Sequence, residues 1–464
     1  MMLFFLSISV LSVNLLGDGL REALDPRMAK ELQACRRQAL PVYWRNPRMP
    51  RIAERELTPV LPQDRAAMPR ADDQLRWTTA EKFVAHRNMH HLFPRDVVPA
   101  GNRVHELETV SNIDVAYSYE GKRLSLETYF SENQTTALLV LKRGKIVLER
   151  YAHGNDASTR WASRSMAKSF TSTLVGAAVR DGAISSVDDQ VVKYVPELRG
   201  SLYDGVSLRQ ALQMVSGVSF IEDYKDPNAD VYTLQACTVG RQQGAFLRLL
   251  AQVANRTPKQ KMPPGNLFYY SSLDSILCGI VVERATGKRP AAYLSERIWQ
   301  PYGMEADGFW NTEADGGTTF TASGIGAILR DYARFGQFVL DGGKCGDTQV
   351  LPEWWMHEAT RPSEASLKER SPYGFQWWLH NADGVNSVRA GAVDPARPTS
   401  APVPMRGAES MFYALGNAGQ SISINPAEGI VIVKWAAWKD SQGPNGRGRH
   451  ADASLFAALI GALA

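Results

Sequence analysis

Trp161-Ala162-Ser163-Arg164-Ser165-Met166-Ala167-Lys168-Ser169-Phe170 joins an extended segment to an apolar run of helical period. Phe170, Leu174, Val175, Ala178 and Val179 recur at 3.6-residue spacing, and Asp181-Gly182 ends the pattern. Ser165 therefore stands at a helix N-terminus, where free backbone N–H groups and the helix dipole favour developing negative charge. Lys168, three residues on, shares its face. An amine drawn into the interior loses affinity for its proton and can accept one from a neighbouring hydroxyl. A nucleophile, a base and half of an oxyanion hole thus fall within four residues. Ser-x-x-Lys also arises by chance in a chain this long, and a serine here serves equally as an N-cap. The surrounding chain decides between the two.

Just upstream, Thr135–Leu141 and Lys145–Tyr151 are rich in β-formers and flank Arg143-Gly144, a hairpin signal. Downstream, Val187–Leu198 is polar and stops at Pro196, and Ser207–Val215 reads as a helix closed by Ser216-Gly217. Glu222, Asp223, Tyr224, Asp226 and Asp230 make Phe220–Asp230 an acidic loop, either a cleft wall or a solvated turn. A helix is expected over Ala245–Ala254. The Pro-Gly loop Lys259–Leu267 then delivers Tyr269-Tyr270-Ser271-Ser272 to the head of an apolar helix, Leu273–Ala285. Another helix is expected over Ile325–Val339. Met411–Leu415, Gln420–Ile424 and Gly429–Trp435 carry strand signals, and Ala451–Leu463 an apolar terminal helix. Trp161, Tyr224, Tyr269, Phe375, Trp377 and Trp378 fall near these segments and suit a cleft or a core equally. Strands at both ends with helices between them predict an α+β fold whose sheet is built from distant segments.

Composition narrows the class. The chain has 464 residues, 44% hydrophobic and 22% charged, with a net charge of +4 and no Lys/Arg run of five. That is ordinary globular composition and implies no nucleic-acid partner. Cys35, Cys237, Cys278 and Cys345 are too scattered for a zinc site or a disulfide framework, and Cys278 sits in an apolar run. His86 and His90 have i,i+4 spacing, but no Cys or acidic residue completes a metal set, so no metal or cofactor is expected. Residues 1–16 are apolar, short for a membrane span and without a leading Lys or Arg. They read as a signal or membrane anchor, making the protein periplasmic or anchored, or as a mis-assigned start ahead of Met28, leaving it cytoplasmic. Residues 1–110 form an N-terminal segment, largely an Arg- and Pro-rich extended arm. Residues 111–464 form the main domain, with 186–334 a mainly helical subdomain.

Three stations align: Ser165-Met166-Ala167-Lys168, Tyr270-Ser271-Ser272 heading a helix, and Asn417-Ala418-Gly419-Gln420 entering a strand. In that order the chain resembles the serine β-lactamase and penicillin-binding-protein superfamily. The branch it is most similar to is class C-like, with 6-aminohexanoate-dimer hydrolases and family VIII carboxylesterases. Met214-Val215-Ser216-Gly217, Glu222-Asp223-Tyr224, Pro263-Pro264-Gly265 and Arg330–Gly336 extend the likeness over 111–464. The resemblance implies a β-lactamase/transpeptidase-like fold: an antiparallel sheet flanked by helices, a helical domain beside it, and the cleft between. It also implies acyl transfer on a small ester or amide, with Ser165 as nucleophile and Lys168 or Tyr270 as base. Gln420 would give the second oxyanion donor, and Ser272, Asn417, Gly419 and Tyr224 would bind substrate. Two departures stand out: Ser272 where class C β-lactamases have Asn, and Asn417 where the superfamily usually has Lys or His. A neutral Asn417 weakens the hold on a substrate carboxylate. The alternatives are a β-lactamase or D-alanyl peptidase, or a binding module without turnover. Gly-x-Ser-x-Gly is absent from the sequence, which counts against a Ser-His-Asp hydrolase. Oligomeric state is not readable.

Overall fold

The structure, a computed structural model, describes residues 57–256, 262–380 and 403–464. From the N-terminal side come helix α1 (Thr79–Arg87), strand β1 (Arg95–Val98) and helix α2 (Leu126–Glu132). A hairpin of β2 (Thr135–Lys142) and β3 (Lys145–Tyr151) follows. Its turn puts Arg143 at φ 50° and Gly144 at φ 77°, a pair of positive angles whose twist matches that of the strands. After β4 (Trp161–Ala162) the chain enters helix α3 (Ala167–Arg180). Helices α4 (Leu208–Leu212), α5 (Asp230–Val239), α6 (Ala245–Ala254) and α7 (Ser272–Thr286) then lead to β5 (Gly308–Asn311) and β6 (Ile325–Ala327). Helix α8 (Leu329–Leu340), β7 (Trp378–Leu379), β8 (Phe412–Gly416), β9 (Gln420–Asn425), β10 (Ile430–Ala436) and helix α9 (Gly448–Ala462) complete the order.

The main sheet runs β7-β8-β9-β10-β2-β3, antiparallel throughout. Its central strands are buried on both faces, which is why β2 and β10 read as unbroken apolar runs. Ala137, Leu139, Val431 and Val433 face the large core that contains α3, α7 and α8, while Leu138, Val140, Ile430 and Ile432 face α2 and α9. A smaller antiparallel sheet, β1-β5-β6-β4, lies where α3 begins. Ser163 N–H donates to Ile325 O at 2.7 Å, so the end of β4 is pinned just before the Ser165 turn. Glycines on α3 and α7 leave room for side chains of neighbouring segments. A Cβ on Gly279 would fall 2.2 Å from Thr321 Oγ1, and one on Gly176 2.6 Å from the Trp355 ring.

Three expectations change. Residues 57–98 are not simply extended: Thr78 and Glu81 form a capping box that starts α1, and β1 pairs with β5. The helix expected from Ile325 begins at Leu329, because Ile325–Ala327 is claimed as a strand by β4 and β5. Asp230, expected at the end of a loop, starts α5. Segment 186–334 carries α4–α7 together with β5 and β6. Cys237, Cys278 and Cys345 are buried thiols in no disulfide; Cys35 and residues 1–16 lie outside the described residues, among which no helix is long and apolar enough to cross a membrane.

Candidate active site

Ser165 occupies a tight turn, Arg164–Met166, that runs directly into α3. Lys168, one turn along α3, is buried and aims its ammonium back at that turn. Its Nζ lies 3.1 Å from Ser165 Oγ, 3.0 Å from Ser272 Oγ and 3.0 Å from Ala322 O. Ala322 O can only accept, so one Lys168 N–H is committed there. Burial drags the amine's pKa from 10.5 to about 8, and Glu222 pushes back only in part. The ammonium also sits 4.9 Å from the centre of the Tyr270 ring.

Helix α7 brings the second station. Ser271 caps it, its Oγ accepting from Asp274 N–H at 3.2 Å, and this sets Tyr270 and Ser272 on either side of the cap. Tyr270 stacks on Trp378 with ring centres 5.4 Å apart and is hydrogen-bonded to Ser165. Burial and Glu222 hold its phenol well above the usual range. Glu222 is buried beneath Ser272, accepting from its N–H at 3.1 Å and hydrogen-bonded to its hydroxyl. Burial raises the Glu222 pKa, and Lys168 opposes the rise.

The third station abuts the first. A Cβ on Gly416 would fall 2.5 Å from Ser163 O and 3.1 Å from Arg164 Cβ, so β8 ends directly against the Ser165 turn. Arg449 of α9 holds that end by donating to Gly416 O at 3.0 Å. Asn417 Oδ1 accepts from Ala418 N–H at 2.6 Å, and the Asn417 side chain is hydrogen-bonded to Tyr224. Tyr224 rides on an exposed loop closed by Asp223 accepting from Lys225 N–H and Asp226 from Asn228 N–H.

Two residues of the third station are taken up by the packing around them. Gln420 Oε1 accepts from Trp161 Nε1 at 2.8 Å and from Ala436 N–H at 3.1 Å, while Nε2 donates to Ala436 O and Ala418 O. Gly419, at φ 90°, lies so close to Trp438 that a Cβ would come within 2.7 Å of its ring, so its bareness serves packing. Trp161, Phe375 and Trp377 are fully buried, behind the site and not lining it. The sequence reading assigned no role to Glu222, Ala322 O or Arg164. Glu222 stood in the acidic loop, but nothing in the pattern marked it as the carboxylate that lies beneath Ser272.

A profile of the family described as Beta-lactamase matches residues 126–456. The chain belongs to the Beta-lactamase family. Its fold is β-lactamase/transpeptidase-like, and it is a serine hydrolase acting on amide or ester bonds. Within this family it is similar to the 6-aminohexanoate-dimer hydrolase of Paenarthrobacter ureafaciens. The two are 29% identical over 328 residues, covering 68% of this chain and 76% of the relative. Among solved structures, a Bacillus anthracis protein described as a candidate 6-aminohexanoate-dimer hydrolase superposes with a TM-score of 0.69. That match covers 88% of this chain and 99% of the other at 21% identity. A penicillin-binding protein homologue from Caulobacter crescentus follows at 0.52, covering 72% and 95% at 17% identity. At these identities the structures speak for the fold of a Beta-lactamase family member.

Proposed function

We propose that Ser165 is the nucleophile, Lys168 the base and Tyr270 the proton relay of an acyl transfer that cleaves short, uncharged esters or linear amides. One observation carries the reading: the three hydrogen bonds of buried Lys168. A neutral amine has two N–H groups and one lone pair. With its N–H groups given to Ala322 O and Ser272 Oγ, the lone pair is left aimed at the Ser165 hydroxyl. Tyr270, with its phenol held protonated, is a poorer base at neutral pH than an amine titrating near 8.

Neutral Lys168 takes the Ser165 proton as Oγ bonds to the carbonyl carbon, and the carbonyl electron pair moves onto oxygen. The resulting oxyanion is held by the backbone N–H groups of Ser165 and Gln420, since the Gln420 side chain is already committed. Collapse of the intermediate expels the amine or alkoxide, which takes a proton from Tyr270 as Lys168 restores the phenol. Water then repeats the sequence on the acyl-enzyme and frees Ser165. Ser272, tethered by Glu222, keeps Lys168 in line, while Asn417 and Tyr224 bound the substrate. Without a cation at 417, carboxylate-bearing β-lactams and D-alanyl peptides are weaker substrates. Short amides of the 6-aminohexanoate type suit the site, in keeping with the relative from Paenarthrobacter ureafaciens.

The test pairs a fluorophosphonate probe with a panel of p-nitrophenyl esters, linear amide oligomers and nitrocefin. Labelling at Ser165, with esters or amides turned over far faster than nitrocefin, is expected. A folded Ser165→Ala variant that keeps most of its activity would end the serine reading. Nitrocefin cleaved as fast as p-nitrophenyl butyrate would replace the substrate assignment with a β-lactamase.

A further inference from the structure

We propose that His86 is a positioning residue for Ser165, acting through the side chain of Arg164. His86 lies on α1, ahead of the region the family profile matches. Arg164, the residue immediately before Ser165, sits at φ 48°, in the left-handed region that side chains bearing a Cβ rarely adopt. Gly416 leaves just enough room for the Arg164 Cβ beside β8. Nothing in the local sequence favours that conformation, so contacts made by the side chain must hold it.

The side-chain hydrogen bonds of Arg164 all come from the segment before β1, while Tyr224 lies near enough to act on its charge. Arg164 Nε and Nη2 both point at His86 Nε2, at 3.0 and 2.8 Å. Nη1 donates to Gln74 Oε1 at 3.4 Å, and the guanidinium lies 5.4 Å from the centre of the Trp77 ring. A guanidinium has only donors, so His86 Nε2 must accept, and the proton of the neutral ring resides on Nδ1. That Nδ1 is buried without a hydrogen-bond partner among the described residues. The groups facing the ring are Arg164, Lys82 of α1 and the edge of Trp161, 5.2 Å away. Burial and the two cations keep His86 neutral, and a neutral ring is what the clamp requires. Leaving a buried N–H unpaired is costly, so the arrangement is better explained by what Nε2 does than by packing. Trp161 in turn donates to Gln420 Oε1, so the same clamp borders both residues assigned to the oxyanion hole.

This inference rests on Ser165 being the nucleophile, and the experiment separates the two. The rate of fluorophosphonate labelling at Ser165, and kcat and KM on a p-nitrophenyl ester, are measured for wild type, His86→Leu, His86→Gln, Arg164→Ala and the His86→Leu/Arg164→Ala double variant. Gln places an amide oxygen where Nε2 stands and keeps an acceptor for Arg164; Leu does not. Loss of alignment predicts a drop of roughly 10–100-fold in labelling rate and kcat for His86→Leu, with KM nearly unchanged. His86→Gln should recover to within about threefold of wild type, and the double variant should be no worse than the poorer single, as coupled positions require. Should His86→Leu fail to fold, Arg164→Ala falling as described while His86→Gln does not carries the same conclusion. A folded His86→Leu labelled at the wild-type rate, a His86→Gln as impaired as His86→Leu, or losses that multiply in the double variant would overturn the clamp. Absence of labelling at Ser165 in the wild type would remove the nucleophile assignment, and the clamp with it.

Discussion

Lys168 and Lys434 are both buried, each with its ammonium over an aromatic ring, and they differ in the oxygens they meet. Lys434, on β10, sits 4.0 Å from the Trp438 ring centre and meets both oxygens of Asp452 at 2.6 and 2.7 Å. Burial pulls its pKa down to about 8, with Asp452 opposing the fall and Arg449 adding to it. Lys168 meets two hydroxyls and a carbonyl in place of a carboxylate, and Glu222 acts on it only across Ser272. Burial draws both amines down alike, yet Lys434 is tied to a carboxylate as an ion pair while Lys168 faces a hydroxyl. What differs is the charge of the contacting oxygens, not depth.

That comparison can be broken at either lysine. Lys168→Arg keeps a cation but cannot release a proton in this range. It should lower kcat/KM for esters by at least about a thousandfold; an active Arg variant would move the base to Tyr270. Lys434→Met strips the shorter ion pair from buried Asp452 and leaves it Arg449 at 3.5 Å and the Tyr129 hydroxyl, so it should cost up to about 3–5 kcal/mol in urea unfolding. The surviving folded fraction, counted by probe titration, should keep its turnover; a catalytic collapse there would erase the distinction. Asn417→Lys tests a cation where none is buried. One charged hydrogen bond contributes roughly 1.5–3 kcal/mol, so the ratio of nitrocefin to p-nitrophenyl butyrate turnover should rise roughly 10- to 150-fold. The smallest effect is the pH profile. With Lys168 titrating near 8, kcat/KM should climb about tenfold per pH unit below that value and level above it. A curve flat from pH 6 to 9 would mean that the amine is not the base.

How much of this was legible depends on whether the signal is local. The β2–β3 hairpin and the helices α3, α6 and α7 declare themselves through turn residues and apolar period. So do Ser165, Lys168, Tyr270 and Ser272, whose spacings are set by the helices that bear them. Ile325–Ala327 was misread because an apolar run continuing into α8 has no period to separate strand from helix. Helix α5 was missed because Asp230–Val239 is buried over most of its surface and shows no polar stripe. Glu222 and the Gln74–Trp77–His86 clamp depend on contacts between distant segments, which no spacing encodes. Gln420 and Gly419 read only as part of the third station, and tertiary packing alone reveals that the Gln420 side chain serves Trp161 and that Gly419 makes room for Trp438.

The exposed loop carrying Tyr224 has a consequence for how such an enzyme diversifies. Residues 223–228 touch solvent and are shaped by their own Asx turns, yet they bring Tyr224 to the Asn417 corner. Substitutions there cost the fold little, because surface positions seldom shift stability by more than about 0.5 kcal/mol. Changes at Lys168, Ser272 or Gln420 disturb buried hydrogen bonds. Selection can thus revise which molecules are accepted at one rim of the cleft while the reaction itself is inherited unchanged.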